Sequence, residues 1–278
     1  MDRYAVAGNP VEHSQSPFIH ALFAQATCET MTYERLLCPL DGFAATIQAF
    51  ARAGGCGCNV TVPFKFDAFS LAARHSERAA LAQAANCLRF DADGWFADNT
   101  DGAGLVRDIR DNAGVALAGA RILLVGAGGA SAGVMGPMLG EAPAELVVAN
   151  RSLDKAQHLV QRHAALAARH GVALRAAALA DAGTAYDIVV NGSASSLAGA
   201  DVPVDARTVR PGTLALDMMY GAPAEGFMRW AAAHGATGRD GLGMLVEQAA
   251  EAFWVWRGVR PATAPVLDAL RRHLSARP

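Results

Sequence analysis

The chain has 278 residues, 52% of them apolar and 18% charged, which excludes a disordered polymer and suits two compact cores. A formal net charge of −2 leaves no basic field for a nucleic acid backbone. Five cysteines (Cys28, Cys38, Cys56, Cys58 and Cys87) lack CxxC or zinc-ligand spacing, so no metal is expected and free thiols in a reducing cytoplasm are. No apolar run of signal-peptide length follows Met1-Asp2-Arg3-Tyr4. Ile122 to Gly140 is uncharged, but its glycines and Pro137 suit a strand turning into a helix, not a membrane span. Of the 24 basic residues only Lys65 and Lys155 are lysine, so chemistry that arginine cannot do is expected there.

Arg3–Gly8 reads as a strand ending at the Gly8-Asn9-Pro10 turn. Ser16-Pro17 predicts a helix with serine as N-cap, running to about Thr27. A strand over Tyr33–Leu37, a helix over Gly42–Ala53 and a strand over Gly57–Val62 follow, then a helix over Ala68–Ala84. Asn86–Phe90 and Trp95–Ala97 predict a hairpin around Asp91–Gly94. The alternation of strands and helices predicts an α/β layer with parallel pairing.

A second series starts after Asp101-Gly102. Gly104–Asn112 has a helical pattern, and Arg121–Val125 is a strand with almost no polar break. Strands are expected at Leu146–Ala149, Ala173–Ala176, Asp187–Val190 and Thr213–Leu216, with a long helix over Leu153–His170. This is a βαβ series of the doubly wound type. Two further helices, Leu242–Trp256 and Ala264–Ser275, are expected to pack on the first domain.

Gly126-Ala127-Gly128-Gly129-Ala130-Ser131 follows a strand and opens a helix, the arrangement that brings backbone amides to a pyrophosphate. An NAD site usually places an acid about 20 residues further on, at the ribose hydroxyl. Here the next strand ends in Ala149-Asn150-Arg151-Ser152, with Lys155 one helical turn beyond. Two cations on one side of a helix start suit the 2′-phosphate of NADP, and Ser152 is expected to cap that helix.

Seven blocks together resemble the shikimate dehydrogenase family. They are Gly8-Asn9-Pro10, Ser14-Gln15-Ser16-Pro17, Asn59 to Lys65, Asp98-Asn99-Thr100-Asp101-Gly102, Gly126 to Ser131, Asn150-Arg151 and Asp240-Gly241-Leu242-Gly243-Met244-Leu245. They run in order over nearly the whole chain. The resemblance implies an α/β substrate domain (1–102 with 240–278) and a doubly wound, Rossmann-type NADP domain (103–239), with the active site in the interdomain cleft. It also implies NADPH-dependent, reversible reduction of 3-dehydroshikimate to shikimate in the chorismate branch of aromatic amino acid synthesis.

Under that resemblance Lys65 and Asp101 are the catalytic pair. An ammonium can steady a developing alkoxide and give up a proton, and a carboxylate beside it would orient it and support its charge. The two are treated as one coupled unit. Ser14 and Ser16 correspond to the hydroxyls that hold the substrate carboxylate, and Tyr220 matches a tyrosine near it. Asn59, Thr61, Asn86 and Gln248 are neutral donors and acceptors suited to a triol. Gly126, Ala127, Gly128, Gly129, Ala130, Asn150, Arg151, Ser152 and Lys155 would hold the cofactor, with Met218 and Gly241 at its nicotinamide.

Two positions depart from the family pattern. Lys155 stands where arginine is frequent, and Asn191-Gly192-Ser193-Ala194-Ser195-Ser196 replaces the usual Asn-Ala-Thr-Ser, with Ser193 placed to substitute for the threonine hydroxyl. The alternative within this chemistry is a quinate/shikimate dehydrogenase. Ser16 and the Arg151–Lys155 pair lean toward shikimate and NADP, since quinate-using relatives often carry threonine at the second serine. A non-catalytic NADP-binding regulator would be free to lose Lys65 and Asp101, and both are present. A glutamyl-tRNA reductase-like enzyme would need a nucleophilic cysteine motif and a basic surface. The expected partners are small molecules alone, with no nucleic acid or membrane, acting on a monomer or homodimer.

Overall fold

The computed structural model describes residues 1–193, 195 and 202–276. The chain divides into two compact units: Met1–Gly104 with Leu245–Pro278, and Leu105–Met244.

The first unit begins with β1 (Asp2–Gly8), α1 (Ser16–Thr27), β2 (Met31–Leu37), α2 (Phe43–Arg52), β3 (Gly55–Val60) and α3 (Lys65–Leu71). It continues with β4 (Arg74–His75), α4 (Glu77–Ala82), β5 (Cys87–Arg89), β6 (Phe96–Asp98) and the start of α5 (Asp101–Arg107). Its sheet runs β2-β1-β3-β5-β6-β4. The strands of β1, β2 and β3 pair in parallel, as their alternation with helices requires, while β5 returns antiparallel to both β3 and β6. Tyr4 to Gly8 are all buried, as suits a central strand; β2 alternates and forms the edge. On α2, Phe43, Ile47 and Phe50 recur at helical spacing and pack on β1 and β3 through Ala5, Ala7, Cys58 and Val60.

Two local expectations are overturned here. Gln15, not Ser16, is the N-cap of α1; Ser16 lies inside the first turn, and its amide donates to Ser14 Oγ at 3.3 Å. The single helix expected over 68–84 is two short helices flanking β4. The Arg74 amide donates to Trp95 O and its guanidinium to Gly94 O (2.8 Å) and Asp91 Oδ2 (2.5 Å). These ladder and ion-pair partners override the alanine-rich helix propensity of the segment.

The second unit carries β7 (Arg121–Val125), α6 (Gly129–Gly140), β8 (Glu145–Asn150), α7 (Leu153–Arg169), β9 (Ala173–Ala178), β10 (Ile188–Asn191) and β11 (Leu214–Asp217). Then follow α8 (Ala222–Ala233), β12 (Thr237–Arg239) and α9 (Leu242–Arg257), whose later turns belong to the first unit. A π-helical turn over Asp108–Asn112 extends α5. The sheet order β12-β11-β10-β7-β8-β9 is parallel throughout and is that of a doubly wound nucleotide-binding fold, with β7 and β10 side by side at its switch point. Neither α8 nor β12 is among the elements expected from the sequence. Thr237-Gly238-Arg239 has little intrinsic strand preference, and its pairing with Leu214–Leu216 supplies the reason it is extended.

In the first unit Trp256 of α9 stacks on Tyr4 at 4.6 Å and donates from Nε1 to Leu88 O at 3.0 Å. His273 of α10 (Ala264–Ser275) stacks on Phe18 at 4.4 Å. All five cysteines are free thiols. Among the described residues no helix is long and apolar enough to cross a membrane, and no group of three or more His, Cys, Asp or Glu could hold a metal.

Candidate active site

Strand ends and helix starts of the first unit gather most of the expected substrate residues. Ser14 and Ser16 stand where the chain leaves β1 and enters α1; Asn59 is on β3 and Thr61 just beyond it. Lys65 is the first residue of α3, Asp101 the first of α5, and Asn86 immediately precedes β5. Gln248 comes from α9.

Lys65 Nζ donates to Asp101 Oδ2. A cation at a helix N-terminus opposes the helix dipole, whereas a carboxylate there is favoured, so the pairing offsets the cost at α3 with a charge that α5 welcomes. Both side chains are largely shielded, at 15% and 8% exposure, which strengthens the attraction relative to water. Asn86 organises the other side. Its Nδ2 faces Asp101 Oδ1 at 2.7 Å, Thr100 Oγ1 at 2.9 Å and Gln248 Oε1 at 3.1 Å, while its Oδ1 accepts from the Thr100 amide at 2.7 Å. Asn59 donates from Nδ2 to Asn86 O at 3.1 Å. Lys65, Asp101, Asn86, Gln248 and Asn59 thus form one hydrogen-bonded set.

Ser14 and Ser16 have hydroxyls 3.2 Å apart, and the Arg35 guanidinium holds Ser14 O at 2.6 Å. The Thr61 amide continues the β1 ladder by donating to Ala7 O at 2.9 Å. Thr100 joins the set as well, although in the sequence it stands out only as part of the Asp98–Gly102 motif. Its place between Asn86 and Gln248 depends on contacts 14 and 148 positions away.

A supporting cluster holds this segment in place. Asp98 accepts from Arg78 Nε (2.7 Å) and Nη2 (2.6 Å), from Ser76 Oγ (2.5 Å) and from the Asn99 amide (2.7 Å). Arg78 also reaches Glu251 of α9 at 3.0 Å. Asp98 and Glu251 are 5% exposed, so these charges are compensated rather than solvated.

The second unit presents the glycine turn. Gly126 has φ +106°, and an added Cβ would lie 3.0 Å from the backbone of Gly192 and Ser193, so only glycine fits there. Gly128 is different: among the described residues nothing lies within 4 Å of where its Cβ would be, leaving room for a ligand to approach the backbone. Gly128 is the N-cap of α6 without a side-chain cap, so the first amides of that helix lack intrahelical partners. Ser131 Oγ, buried in the first turn, has no hydrogen-bond partner among the described residues. Orphaned donors around an open glycine backbone fit a pyrophosphate.

At the tip of β8, Asn150 Nδ2 donates to Ser152 O at 2.8 Å, and Arg151, Ser152 and Lys155 are exposed. Ser152 is the N-cap of α7 but its side chain makes no capping bond, contrary to expectation. Among the described residues neither Arg151 nor Lys155 pairs with a carboxylate, so both cations are available to a phosphate. Met218 is buried beyond β11, with Tyr220 two residues on. Gly241 comes so close that an added Cβ would lie 2.4 Å from Met218 O. In the loop after β10, Ser193 Oγ donates to Asn191 Oδ1 at 2.7 Å, and Asn191 Nδ2 to Asp217 at 3.0 Å; Ala194 and Ser196 lie outside the described residues.

Three family models match in chain order. They are the shikimate dehydrogenase substrate binding domain over residues 6–88, shikimate/quinate 5-dehydrogenase over 108–200, and the shikimate 5′-dehydrogenase C-terminal domain over 241–271. A shikimate dehydrogenase (NADP(+)) of Methylibium petroleiphilum is 71% identical over 276 residues, covering 97% of this chain and 94% of that protein. An Ael1 enzyme from Pseudomonas putida superposes with a TM-score of 0.88 at 46% identity, covering 97% of this chain and 98% of that one. Shikimate 5-dehydrogenase from Thermus thermophilus, solved in complex with NADP(H) and shikimate, gives 0.82 at 29% identity over 98% and 99% of the two chains. The chain belongs to the shikimate dehydrogenase family.

Proposed function

We propose that this chain is an NADP-dependent shikimate dehydrogenase, interconverting 3-dehydroshikimate and shikimate. The observation that carries the reading is the shielded Lys65–Asp101 pair, hydrogen-bonded through Asn86 to Gln248. NADPH supplies the hydride for the ring ketone. The oxygen then gains negative charge, and the chain must steady that charge and deliver one proton. Lys65 does the first as an ammonium and, coupled to Asp101, provides the second. Asp101, itself held by Asn86, keeps the ammonium in one orientation, which reduces the reorganisation needed during the reaction.

Ser14 and Ser16, with Tyr220, hold the substrate carboxylate. Asn59, Thr61, Asn86 and Gln248 hold its hydroxyls. The amides of Gly126 to Ala130 would hold the cofactor pyrophosphate, and Asn150, Arg151, Ser152 and Lys155 would hold the 2′-phosphate. Met218 and Gly241 would line the nicotinamide. Five free thiols suit a reducing cytoplasm, where we place the enzyme.

The test is direct. Purified protein is mixed with shikimate or quinate and with NADP⁺ or NAD⁺, and the near-ultraviolet absorbance of reduced nicotinamide is followed. Enclosing the extra C1 hydroxyl of quinate without a partner costs roughly 1–3 kcal/mol, so kcat/KM for shikimate with NADP⁺ exceeds that for quinate with NAD⁺ by about tenfold or more. Comparable values would favour the quinate/shikimate alternative, and no turnover of either acid would overturn the assignment.

A further inference from the structure

Tyr33 lies on the edge strand β2, opposite Tyr4 of β1. Its phenol ring is held in an aromatic cluster. His20 stacks on it with ring centres 4.2 Å apart and planes 9° apart, and Trp256 lies against it at 6.2 Å. His20 is fully buried, and among the described residues neither ring nitrogen has a hydrogen-bond partner. Burial, against a smaller opposing effect of the neighbouring Asn59 side chain, pushes His20 down to about 3, so the imidazole packs as a neutral ring.

The Tyr33 hydroxyl lies beyond this cluster, beside Asn59. It donates to Asn59 Oδ1 at 2.7 Å, the usual length for such a bond. Asn59 is 5% exposed, and its Nδ2 is committed to Asn86 O at 3.1 Å. The amide is therefore clamped from both ends: the phenol marks Oδ1, the carbonyl marks Nδ2. One Nδ2 hydrogen is left over, since an amide nitrogen carries two. The Ser16 hydroxyl also neighbours the phenol. A purely structural aromatic at this place would need no hydroxyl, because phenylalanine fills the same stack.

We infer that Tyr33 is a positioning residue of the substrate site, fixing the amide of Asn59 so that its remaining N–H is presented to a substrate hydroxyl. The inference rests on the function proposed above. Tyr33 acts on substrate binding through the Asn59 amide and not by contact with Lys65 or Asp101, so its loss weakens substrate and transition state alike.

The test is Tyr33→Phe, which keeps the aromatic stack and removes only the hydroxyl. KM for shikimate rises about three- to tenfold, the worth of one neutral hydrogen bond, with kcat within about twofold and KM for NADP⁺ unchanged. KM reads only folded enzyme, so a loss of stability does not mimic the result. A double-mutant cycle then tests the route. In an Asn59→Ala background, Tyr33→Phe changes kcat/KM less than about 1.5-fold, because its target is gone. An unchanged KM in the single variant, or fully additive effects in the cycle, overturns the inference. Wild-type enzyme that fails to oxidise shikimate defeats the proposed function instead, so the two failures are distinguishable.

Discussion

Lys65 and Asp101, 36 positions apart in the chain, meet as an ion pair between the first residues of two helices, α3 and α5. With Lys65 replaced by methionine, Asp101 still accepts from Asn86 Nδ2, so the pocket keeps its shape. Lys65→Met is expected to lower kcat by about 10²- to 10⁴-fold, with KM values for shikimate and NADP⁺ little changed. Steady-state kinetics check this, and near-normal kcat would remove Lys65 from the chemistry.

Arg151 is exposed at the tip of β8, with Lys155 one turn into α7. Arg151→Ala is expected to weaken NADP⁺ by about one to two powers of ten, the worth of a lost charge-assisted hydrogen bond, while barely affecting NAD⁺. Titration of both cofactors measures the difference. Equal weakening would place the 2′-phosphate on other residues.

His20 makes stability depend on pH. Burial holds it near 3 in the folded chain, against an ordinary 6.5. Above pH 6.5 neither state binds the proton, and the contribution of the ring is fully present. As pH falls from 6.5 toward 3 only the unfolded chain takes the proton, so stability is lost, by roughly 2 kcal/mol at pH 5. His163 is also lowered by burial and acts in the same direction. Urea unfolding of wild type and His20→Phe at pH 7.5 and 5 isolates the His20 part: the variant should lose distinctly less on acidification. Equal losses would show that this ring does not set the acid limb.

Gly243 faces a buried ion pair. Asp108, fully buried, accepts from Arg239 Nε at 2.8 Å and Nη2 at 2.5 Å, and a Cβ on Gly243 would lie 1.7 Å from Asp108 Oδ1. Gly243→Ala must separate that pair, and breaking a buried pair costs roughly 3–5 kcal/mol. Thermal unfolding should show Tm lowered by roughly 10 °C. A shift under about 2 °C would mean that Asp108 moves aside freely.

What the amino-acid sequence determined by itself is everything encoded within a few neighbouring residues. The run from Arg121 to Ser131 announces a strand, a glycine turn and a helix, because hydrophobic pattern and glycine freedom are local properties. Lys65 stands out against an arginine background from composition alone. The tip of β8, with Asn150-Arg151 where an NAD site carries an acid, is equally local. Tertiary structure decided the rest, because the partners are far apart in the chain. Arg74 breaks an alanine-rich helix by pairing with residues near 91–95; Thr237–Arg239 becomes a strand only beside Leu214–Leu216. Gly243 is confined by a carboxylate on Asp108, and Tyr33 finds Asn59 across 26 residues. A residue's propensity is set by its own chain neighbours, whereas its hydrogen-bond and packing partners exist only once the sheets have formed.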